Sequence, residues 1–204
     1  MELRIATGDD ACGVAEIYGP IVASSPISFE IDPPDEQEMR RRIQATLAAY
    51  PWLVCEHDRQ VAAYAYASGH GARAGYQWSV NTSVYVHPTF QRRGIGRALY
   101  ISLFNVLVAQ GFVNAYAGIT LPNAGSVRLH ESTGFQPVGV YRQSGFKSGQ
   151  WYDVGWWQRS LQPVPAVPRR PRTLDEVLRD PSWQGLLRNG QWPEDDSTNR
   201  FLLS

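Results

Sequence analysis

A short segment containing glycine and arginine, residues 91–97, constrains this chain more than any other feature. It follows an apolar stretch at 84–86 that is typical of a strand, and apolar residues at helical spacing follow it as far as Gly111. The N–H groups and dipole at the start of a helix hold phosphate groups, and glycine lets a ligand come close to the backbone. We therefore predict a phosphate-binding loop made of Gln91, Arg92, Arg93, Gly94, Ile95, Gly96 and Arg97.

The residues around this segment narrow the kind of phosphate ligand. No Gly-Lys-Ser or Gly-Lys-Thr follows, as a nucleoside-triphosphate loop requires. No acidic residue ends a second parallel strand at the spacing of a dinucleotide site. Acetyl-CoA therefore fits this segment better than a nucleoside triphosphate or a dinucleotide does. Taken alone, the segment is equally compatible with an ordinary helix that begins with solvated arginines.

The remaining pattern of apolar residues and turn signals predicts one α/β domain. Strands are expected at 3–6, 52–56, 61–67, 83–86, 113–119, 135–140 and 152–159. Helices are expected after a cap at Asp9 or Asp10, from Asp35 to before Pro51, from Ile95 to Gly111, and from Asn123 to before Gly134. The resulting order contains a β-meander followed by βαβαββ.

Composition and charge exclude several classes of protein. Lysine plus arginine and aspartate plus glutamate each number 19, so no net charge attracts nucleic acid or an anionic membrane. The first ten residues hold no signal-peptide stretch, and the longest apolar run, 61–67, is far shorter than a membrane span. Cys12 and Cys55 lack metal-ligand spacing and are interpreted as buried apolar side chains. A soluble, cytoplasmic protein without metal is expected.

The C-terminal part of the chain differs in composition. Prolines interleaved with Arg169 and Arg170 mark 163–172 as an extended linker between a domain at 1–162 and a helical tail at 173–204. Thr173 and Glu176 form a capping-box pattern, and the residues after them are too apolar for a solvated tail. The tail is expected to dock on the body or on a second subunit.

The segment at 91–97 resembles motif A of the GNAT acetyltransferase superfamily, Gln/Arg-x-x-Gly-x-Gly/Ala after a strand, at every defined position. Further blocks in the same order resemble the phosphinothricin N-acetyltransferase family over residues 3–162. They are Tyr-Pro-Trp-Leu-Val at 50–54, Ser-Val-Tyr-Val at 83–86, Leu-Pro-Asn at 121–123, Ser-Val-Arg-Leu-His-Glu at 126–131, Gly-Phe-Lys at 145–147 and Trp151 with Asp-Val-Gly at 153–155. The resemblance implies the GNAT fold, an α+β arrangement in which a mixed central sheet is splayed between strands 4 and 5 with helices on both faces. A homodimer is also expected.

The same resemblance assigns residues to acetyl-CoA. Its pantetheine arm would lie in the gap between strands 4 and 5 and pair with the main chain of residues 84–86. The implied contacts outside the phosphate loop are Val84, Tyr85, Val86, Asn123 and Ser126. His130 stands where many GNAT enzymes carry a tyrosine acid, and an imidazole can protonate the departing CoA sulfur at neutral pH. The plainer interpretations are a histidine packed in the core and an asparagine that only caps its helix.

Four residues are implied at the acceptor: Phe29, Arg73, Tyr76 and Thr120. An arginine and a phenol could fix an acidic group of the acceptor, whereas Phe29 and Tyr76 can also be explained as core aromatics. Three positions in or near this acceptor region depart from the family. Gly71 replaces a lysine, Glu30 an arginine and Thr120 a glycine, so the region has lost positive charge.

The most important departure is Asn81, where the family places a glutamate proposed as general base. An amide cannot take up a proton at neutral pH, so Asn81 is expected to hold the amine or its water. The leading hypothesis is an enzyme that acetylates a small, amino-acid-like amine. One alternative is a GNAT-fold acyl-CoA-binding module that lost turnover with the glutamate, and another is a tail that recruits a partner.

Overall fold

The computed structural model describes residues 1–188, in which seven strands form one sheet in the order β1-β2-β3-β4-β5-β7-β6. The strands are β1 Glu2–Ile5, β2 Trp52–His57, β3 Gln60–Gly69, β4 Ser79–Val86, β5 Asn114–Leu121, β6 Gln136–Lys147 and β7 Gln150–Ser160. Neighbouring strands are antiparallel except for β4 and β5, which are parallel. The predicted mixed sheet is confirmed.

The parallel pair β4–β5 opens along its length. Only three register pairs join the strands, and the last of them is Asn81 with Tyr116. Beyond that pair β4 continues to Val86 and β5 to Leu121, but they no longer pair with each other. This confirms the predicted splay between strands 4 and 5, and it leaves unpaired strand edges facing a gap.

Helices cover both faces of the sheet, as predicted. Their bounds are α1 Ala11–Ser24, α2 Glu36–Leu47, α3 Ile95–Gln110, α4 Ala124–Ser132, α5 Leu174–Leu178 and α6 Gln184–Arg188. One buried cluster joins α1 and α2 to side chains of β2 and β3 such as Trp52 and Tyr64. The larger cluster joins α3 to the opposite face, where Val80 and Ala115 are fully buried. This two-sided cover holds the splayed strands in place.

The cap predicted at Asn123 is observed, and a second cap lies at Asp35, near which a helix was expected to start. The Asp35 carboxylate accepts from the N–H of Glu38 at 2.8 Å, and the Asn123 side chain accepts from the N–H of Ser126 at 3.1 Å. The expected cap of the first helix is different, because the side chain of Asp10 makes no capping bond to α1. Asp10 instead accepts from the backbone N–H of Thr7 at 2.7 Å and pairs with Arg4 at 2.6 Å. A short 3₁₀ turn, Gly8–Asp10, therefore precedes the helix.

Two other expectations need correction. The last two strands are longer than predicted, and β6 bends through a register shift between Tyr141 and Gly145 before it continues to Lys147. That irregular stretch breaks the alternation of apolar residues from which strand ends are predicted. Cys12 is exposed on α1, whereas Cys55 is buried as expected.

The described part of the tail docks on the body. Leu174, Val177 and Leu187 are each at least 93% buried, and Leu174 and Leu187 belong to the core cluster of α3. Ser102 in α3 donates to the carbonyl of Leu187 at 3.0 Å. Residues 189–204 lie outside the described residues, and the division into a domain, a linker and a tail stays a proposal.

Among the helices of residues 1–188, each is too short or too polar to cross a membrane.

Candidate active site

A cleft opens where β4 and β5 separate, and it encloses about 370 Å³ of space, its open mouth included. Its walls come from both strands, from α3 and from the first turns of α4. The lining residues are Ile27, Thr82, Ser83, Val84, Tyr85, Tyr100, Gly118, Ile119, Thr120, Asn123, Ser126 and His130. Six residues predicted from the sequence, Val84, Tyr85, Thr120, Asn123, Ser126 and His130, therefore meet in one place.

The main chain of β4 presents polar groups to this cleft. The N–H of His87 donates to the carbonyl of Ala62 in β3 at 2.9 Å. Opposite residues in an antiparallel pair alternate between bonded and non-bonded positions, so Tyr85 also bonds towards β3, whereas Val84 and Val86 point their N–H and C=O groups towards the gap. Two of the three predicted main-chain contacts are thus available to a ligand there.

Tyr85 has a different place from the one predicted. Its ring packs on Tyr64 at a centroid distance of 5.1 Å and on Tyr18 at 5.3 Å, in the face covered by α1. Its main chain faces β3. Tyr85 therefore borders the cleft as a wall and offers it no main-chain hydrogen bond.

The predicted phosphate loop has the features of a helix start that binds an anion. Gly94 precedes α3 with φ of 80°, a left-handed conformation that glycine adopts without strain, and no side chain caps the helix. The N–H groups of its first turn are therefore open to a ligand. Arg92, Arg93 and Arg97 are exposed beside this turn, and the guanidinium of Arg93 lies 5.5 Å from the ring centre of Phe90.

Two residues of the loop serve packing. A Cβ atom on Gly96 would come within 3.0 Å of the Leu129 side chain and within 3.6 Å of Val86. The missing side chain lets α3 lie close against β4 and α4. The Gln91 amide donates to the carbonyl of Val86 at 3.3 Å, which ties the loop to the end of β4.

His130 is 95% buried and has partners on both ring nitrogens. Nδ1 lies 2.7 Å from the carbonyl oxygen of Ser126, which only accepts hydrogen bonds, so Nδ1 carries the proton. Nε2 lies 2.7 Å from the hydroxyl of Tyr100, which then donates to it. Burial lowers the pKa of His130 and outweighs the opposing hydrogen bond to Ser126, so the imidazole is neutral at pH 7.

This arrangement alters what His130 can do directly. Its only N–H points at the backbone of its own helix, with the Ser126 hydroxyl 3.3 Å away, and its lone pair is taken by Tyr100. Tyr100 is fully buried and lines the cleft. The hydroxyl of Tyr100, which the sequence did not single out, is thus the polar group that links His130 to the cleft.

Asn81 lies at the closed end of the gap, in the last pair that joins β4 to β5. Its amide nitrogen donates to the carbonyl of Gly69 at 3.2 Å, and its oxygen lies 2.9 Å from Nδ1 of His70. The ring of His70 stacks on Tyr116 with centroids 4.0 Å apart. No role was predicted for His70 from the sequence, because residues 68–75 have the composition of a glycine-rich loop. Its one available signal was an imidazole directly after a strand.

The four residues implied at the acceptor are spread out. Phe29 packs against the backbone of Gly145 and near Tyr152 with centroids 6.3 Å apart, whereas Thr120 is buried in the cleft wall. Tyr76 is exposed beside His70 at 5.9 Å between ring centres, and Arg73 is exposed at the start of the same 3₁₀ turn, three residues before Tyr76. His70 lies between Tyr76 and Asn81 and contacts both of them. Arg73 is not in contact with this group.

Glu30 contributes no free charge to this region. Its carboxylate pairs with Arg42 at 2.8 Å and accepts from the hydroxyl of Tyr18 at 2.8 Å. Burial raises the pKa of Glu30, but the hydrogen bonds from Arg42 and Tyr18 outweigh it and the net pKa is lowered. Glu30 is therefore a structural residue that anchors the loop between α1 and α2.

Lys147 fixes that loop from the other side. It is the only lysine of the sequence, is 94% buried, and donates to the carbonyls of Val22 at 2.6 Å and Ser28 at 2.7 Å. Phe29, which is predicted at the acceptor, directly follows Ser28 in the chain. The lysine thus ties the end of α1 to β6.

Replacing Lys147 with methionine is expected to lower the free energy of unfolding by about 2–6 kcal/mol, because two buried carbonyls lose their donor at about 1–3 kcal/mol each. Urea denaturation measures the change. Arg142→Met is the matched control, because Arg142 is an exposed cation on the same strand whose ion pair with Asp153 should matter little. Equal stability of the two variants would contradict the role given to Lys147.

Comparison with known proteins agrees with this geometry. Residues 3–156 match the model of the acetyltransferase (GNAT) domain. The chain belongs to the GNAT acetyltransferase family. It is 41% identical to the phosphinothricin N-acetyltransferase of Streptomyces viridochromogenes over 177 residues, which covers 87% of this chain and 96% of that protein. This match is longer than the predicted 3–162 and includes the proline-rich segment.

Two further relatives extend the comparison. The L-methionine sulfoximine/L-methionine sulfone acetyltransferase of Salmonella typhimurium is 33% identical over 79% of this chain and 95% of its own length. The structure of a phosphinothricin acetyltransferase from Sinorhizobium meliloti in complex with acetyl-CoA superposes with a TM-score of 0.75, at 34% identity over 81% of this chain and 94% of that chain. The prediction that this GNAT protein is an N-acetyltransferase is confirmed.

Proposed function

We propose that this GNAT enzyme transfers the acetyl group of acetyl-CoA to the primary amine of a small, amino-acid-like molecule. The observation that carries the proposal is the cleft between β4 and β5, with main-chain groups of β4 at its edge and the uncapped start of α3 beside Val84 and Val86. Acetyl-CoA supplies an activated acyl carbon and a thiolate leaving group. Holding it beside an amine accounts for a large share of such a rate enhancement.

The groups that would hold acetyl-CoA follow from the contacts already described. The open N–H groups of α3 and the exposed Arg92, Arg93 and Arg97 suit its phosphates. Val84 and Val86 offer hydrogen bonds to the amides of a pantetheine arm. The Asn123 side chain already caps α4 through its oxygen, and Ser126 lines the cleft from the first turn of that helix.

For the leaving sulfur we assign Tyr100 and His130 as a pair. A neutral His130 holds its own proton on Nδ1 towards Ser126, so it cannot donate from Nε2 unless it first gains a proton there. The phenol of Tyr100 therefore gives its proton to the departing sulfur and regains one from the attacking amine, while Nε2 of His130 accepts a hydrogen bond from the hydroxyl and holds it in place. Burial raises the pKa of Tyr100, so the phenol keeps a proton to give at neutral pH.

The acceptor class is inferred from relatives and from charge. Phosphinothricin and L-methionine sulfone, named for two relatives, are amino-acid-like, which supports an acceptor of that size and kind. In this chain Glu30 is paired with Arg42 and position 71 is glycine, so the strongly acidic members of that class are poorer candidates. Arg73 and Tyr76 remain available to bind a carboxylate.

The test is mass spectrometry of reactions between acetyl-CoA and a panel of amino-acid analogues and polyamines. Acetylated product from the wild-type protein is expected, and its identity defines the acceptor. Tight acetyl-CoA binding without product from any amine would instead favour an acyl-CoA-binding module, the alternative that Asn81 raises. The Asn81→Glu variant, measured in parallel, then reports whether a carboxylate at that position restores turnover.

Assembly and location complete the proposal. We propose a cytoplasmic homodimer that requires no metal. In the described residues no three metal-ligating side chains form a cluster. Sedimentation at enzyme concentrations used for assay measures the subunit number.

A further inference from the structure

We propose that His70 is the general base of this enzyme and that Asn81 is its positioning residue. The inference rests on the proposed acetyl transfer, because an ammonium group must lose a proton before it attacks the acyl carbon. Asn81 lies in the site but its amide cannot accept that proton. A base must therefore come from another group at the closed end of the gap.

The hydrogen bonds around Asn81 determine the tautomer of His70. The carbonyl of Gly69 only accepts, so the group of Asn81 that faces it at 3.2 Å is the amide NH₂. The amide oxygen therefore faces His70, and at 2.9 Å from Nδ1 it accepts that N–H. A neutral imidazole protonated on Nδ1 carries its lone pair on Nε2, which is the atom that can accept a proton.

The surroundings hold the ring in one orientation. His70 stacks on Tyr116 with ring planes 19° apart, and the edges of Tyr76 and Trp156 lie near it, with centroid distances of 5.9 and 6.3 Å. Within residues 1–188 the only hydrogen-bond partner of the ring is Asn81, so Nε2 remains available. An amide that orients a catalytic imidazole is known chemistry, as in cysteine proteases with a Cys-His-Asn arrangement.

The position of the pair suits proton transfer at the cleft. Asn81 pairs with Tyr116 in the last register position before the strands separate, so the pair stands at the closed end of the gap. The titratable groups that face His70 are the phenols of Tyr76 on the preceding turn and Tyr116 on β5, while Asn81 on β4 and Trp156 on β7 carry no charge. Imidazole is the side chain that enzymes use most often as a general base.

The step balances as follows. Nε2 takes a proton from the acceptor R–NH₃⁺ and becomes imidazolium, and the freed lone pair of R–NH₂ forms the new C–N bond to the acetyl carbon. The C–S bond breaks with its electron pair on sulfur. The second amine proton neutralises the thiolate to the thiol, through Tyr100 or solvent, and the imidazolium releases its proton to water.

The experiment compares two acceptors with the full-length protein and acetyl-CoA. L-Methionine sulfone carries an ammonium group at pH 7, whereas the amino group of aminooxyacetate is uncharged there and needs no base. His70→Phe keeps an aromatic ring to stack on Tyr116 and is expected to lower kcat/KM for L-methionine sulfone by about 10²–10⁴-fold. For aminooxyacetate the loss should stay below about tenfold, since only the proton-transfer contribution is removed. His57→Phe, at the far end of β2, is the matched control.

Asn81 is tested by the same pair of acceptors. Asn81→Leu should reproduce the selective loss, and Asn81→Asp should recover most of the rate, because a carboxylate accepts the same N–H of His70. Equal losses with both acceptors would mean a packing role and would overturn the inference, as would unchanged rates in His70→Phe. Wild-type protein that acetylates neither these two compounds nor any amine of the panel would contradict the proposed function itself, and the inference with it.

Discussion

Replacing Tyr100 with phenylalanine is expected to lower kcat about 10²–10⁴-fold while the KM for acetyl-CoA changes less than about threefold. The substitution removes one oxygen and keeps the ring that packs near Phe104 and Phe135. What is lost is the hydroxyl between the cleft and His130, and with it the proposed route of a proton to the leaving sulfur. Steady-state release of CoA thiol measures both constants.

Tyr64→Phe is the control for this substitution. Tyr64 is also fully buried, but it lies in the cluster on the opposite face of the sheet and does not line the cleft. Its kcat should remain within about threefold of wild type. A Tyr100→Phe enzyme that turns over as fast as Tyr64→Phe would show that the sulfur obtains its proton by another route.

Truncation after Pro163 is expected to reduce the free energy of unfolding by on the order of 3–6 kcal/mol. Leu174, Val177 and Leu187 lose their burial, each contributing about 1.5–3 kcal/mol, and the entropy of ordering the tail offsets part of the sum. Such a loss is a large part of the stability of an ordinary domain and should lower Tm by about 6–24 °C. Calorimetry of the truncated and full-length proteins measures it.

Hydrogen bonds between the tail and α3 also contribute to the stability that truncation is expected to remove. The N–H of Arg172 donates to the carbonyl of Gln110 at 2.7 Å, and its guanidinium donates to Ala109, so the tail closes the C-terminal end of α3. The buried Gln110 amide donates to Ala49 and to Arg172. Truncation removes one of these two acceptors.

Val167→Ala is the control for the truncation, because Val167 is 86% exposed and its loss should leave Tm unchanged. A truncated protein with the Tm of the full chain would contradict the docking role of the tail. The same samples report the subunit number, and dissociation on truncation would support the alternative in which the tail completes a dimer.

Local features of the sequence predicted much of this protein. Asn123 caps its helix as predicted, and Asp35 caps the helix that was expected to start near it, since capping depends only on residues within one turn. The loop before α3 follows from Gly94, whose freedom of φ is a property of the residue itself. The order of strands and helices followed from periodicity, and the resemblance of the motif blocks to the family implied the GNAT fold.

Contacts between distant segments decided the rest. The sequence placed Asn81 and His130 at the site, but their partners, His70 eleven residues away and Tyr100 thirty residues away, depend on strand register and on how α3 packs against α4. Those partners assign the protons, so they determine which atom can act as a base or an acid. The residues of the phosphate loop and the family resemblance that the sequence carries therefore predicted the cofactor and the reaction. The tertiary structure decided which side chains can move its protons, because hydrogen-bond partners far apart in the chain are brought together only by the fold.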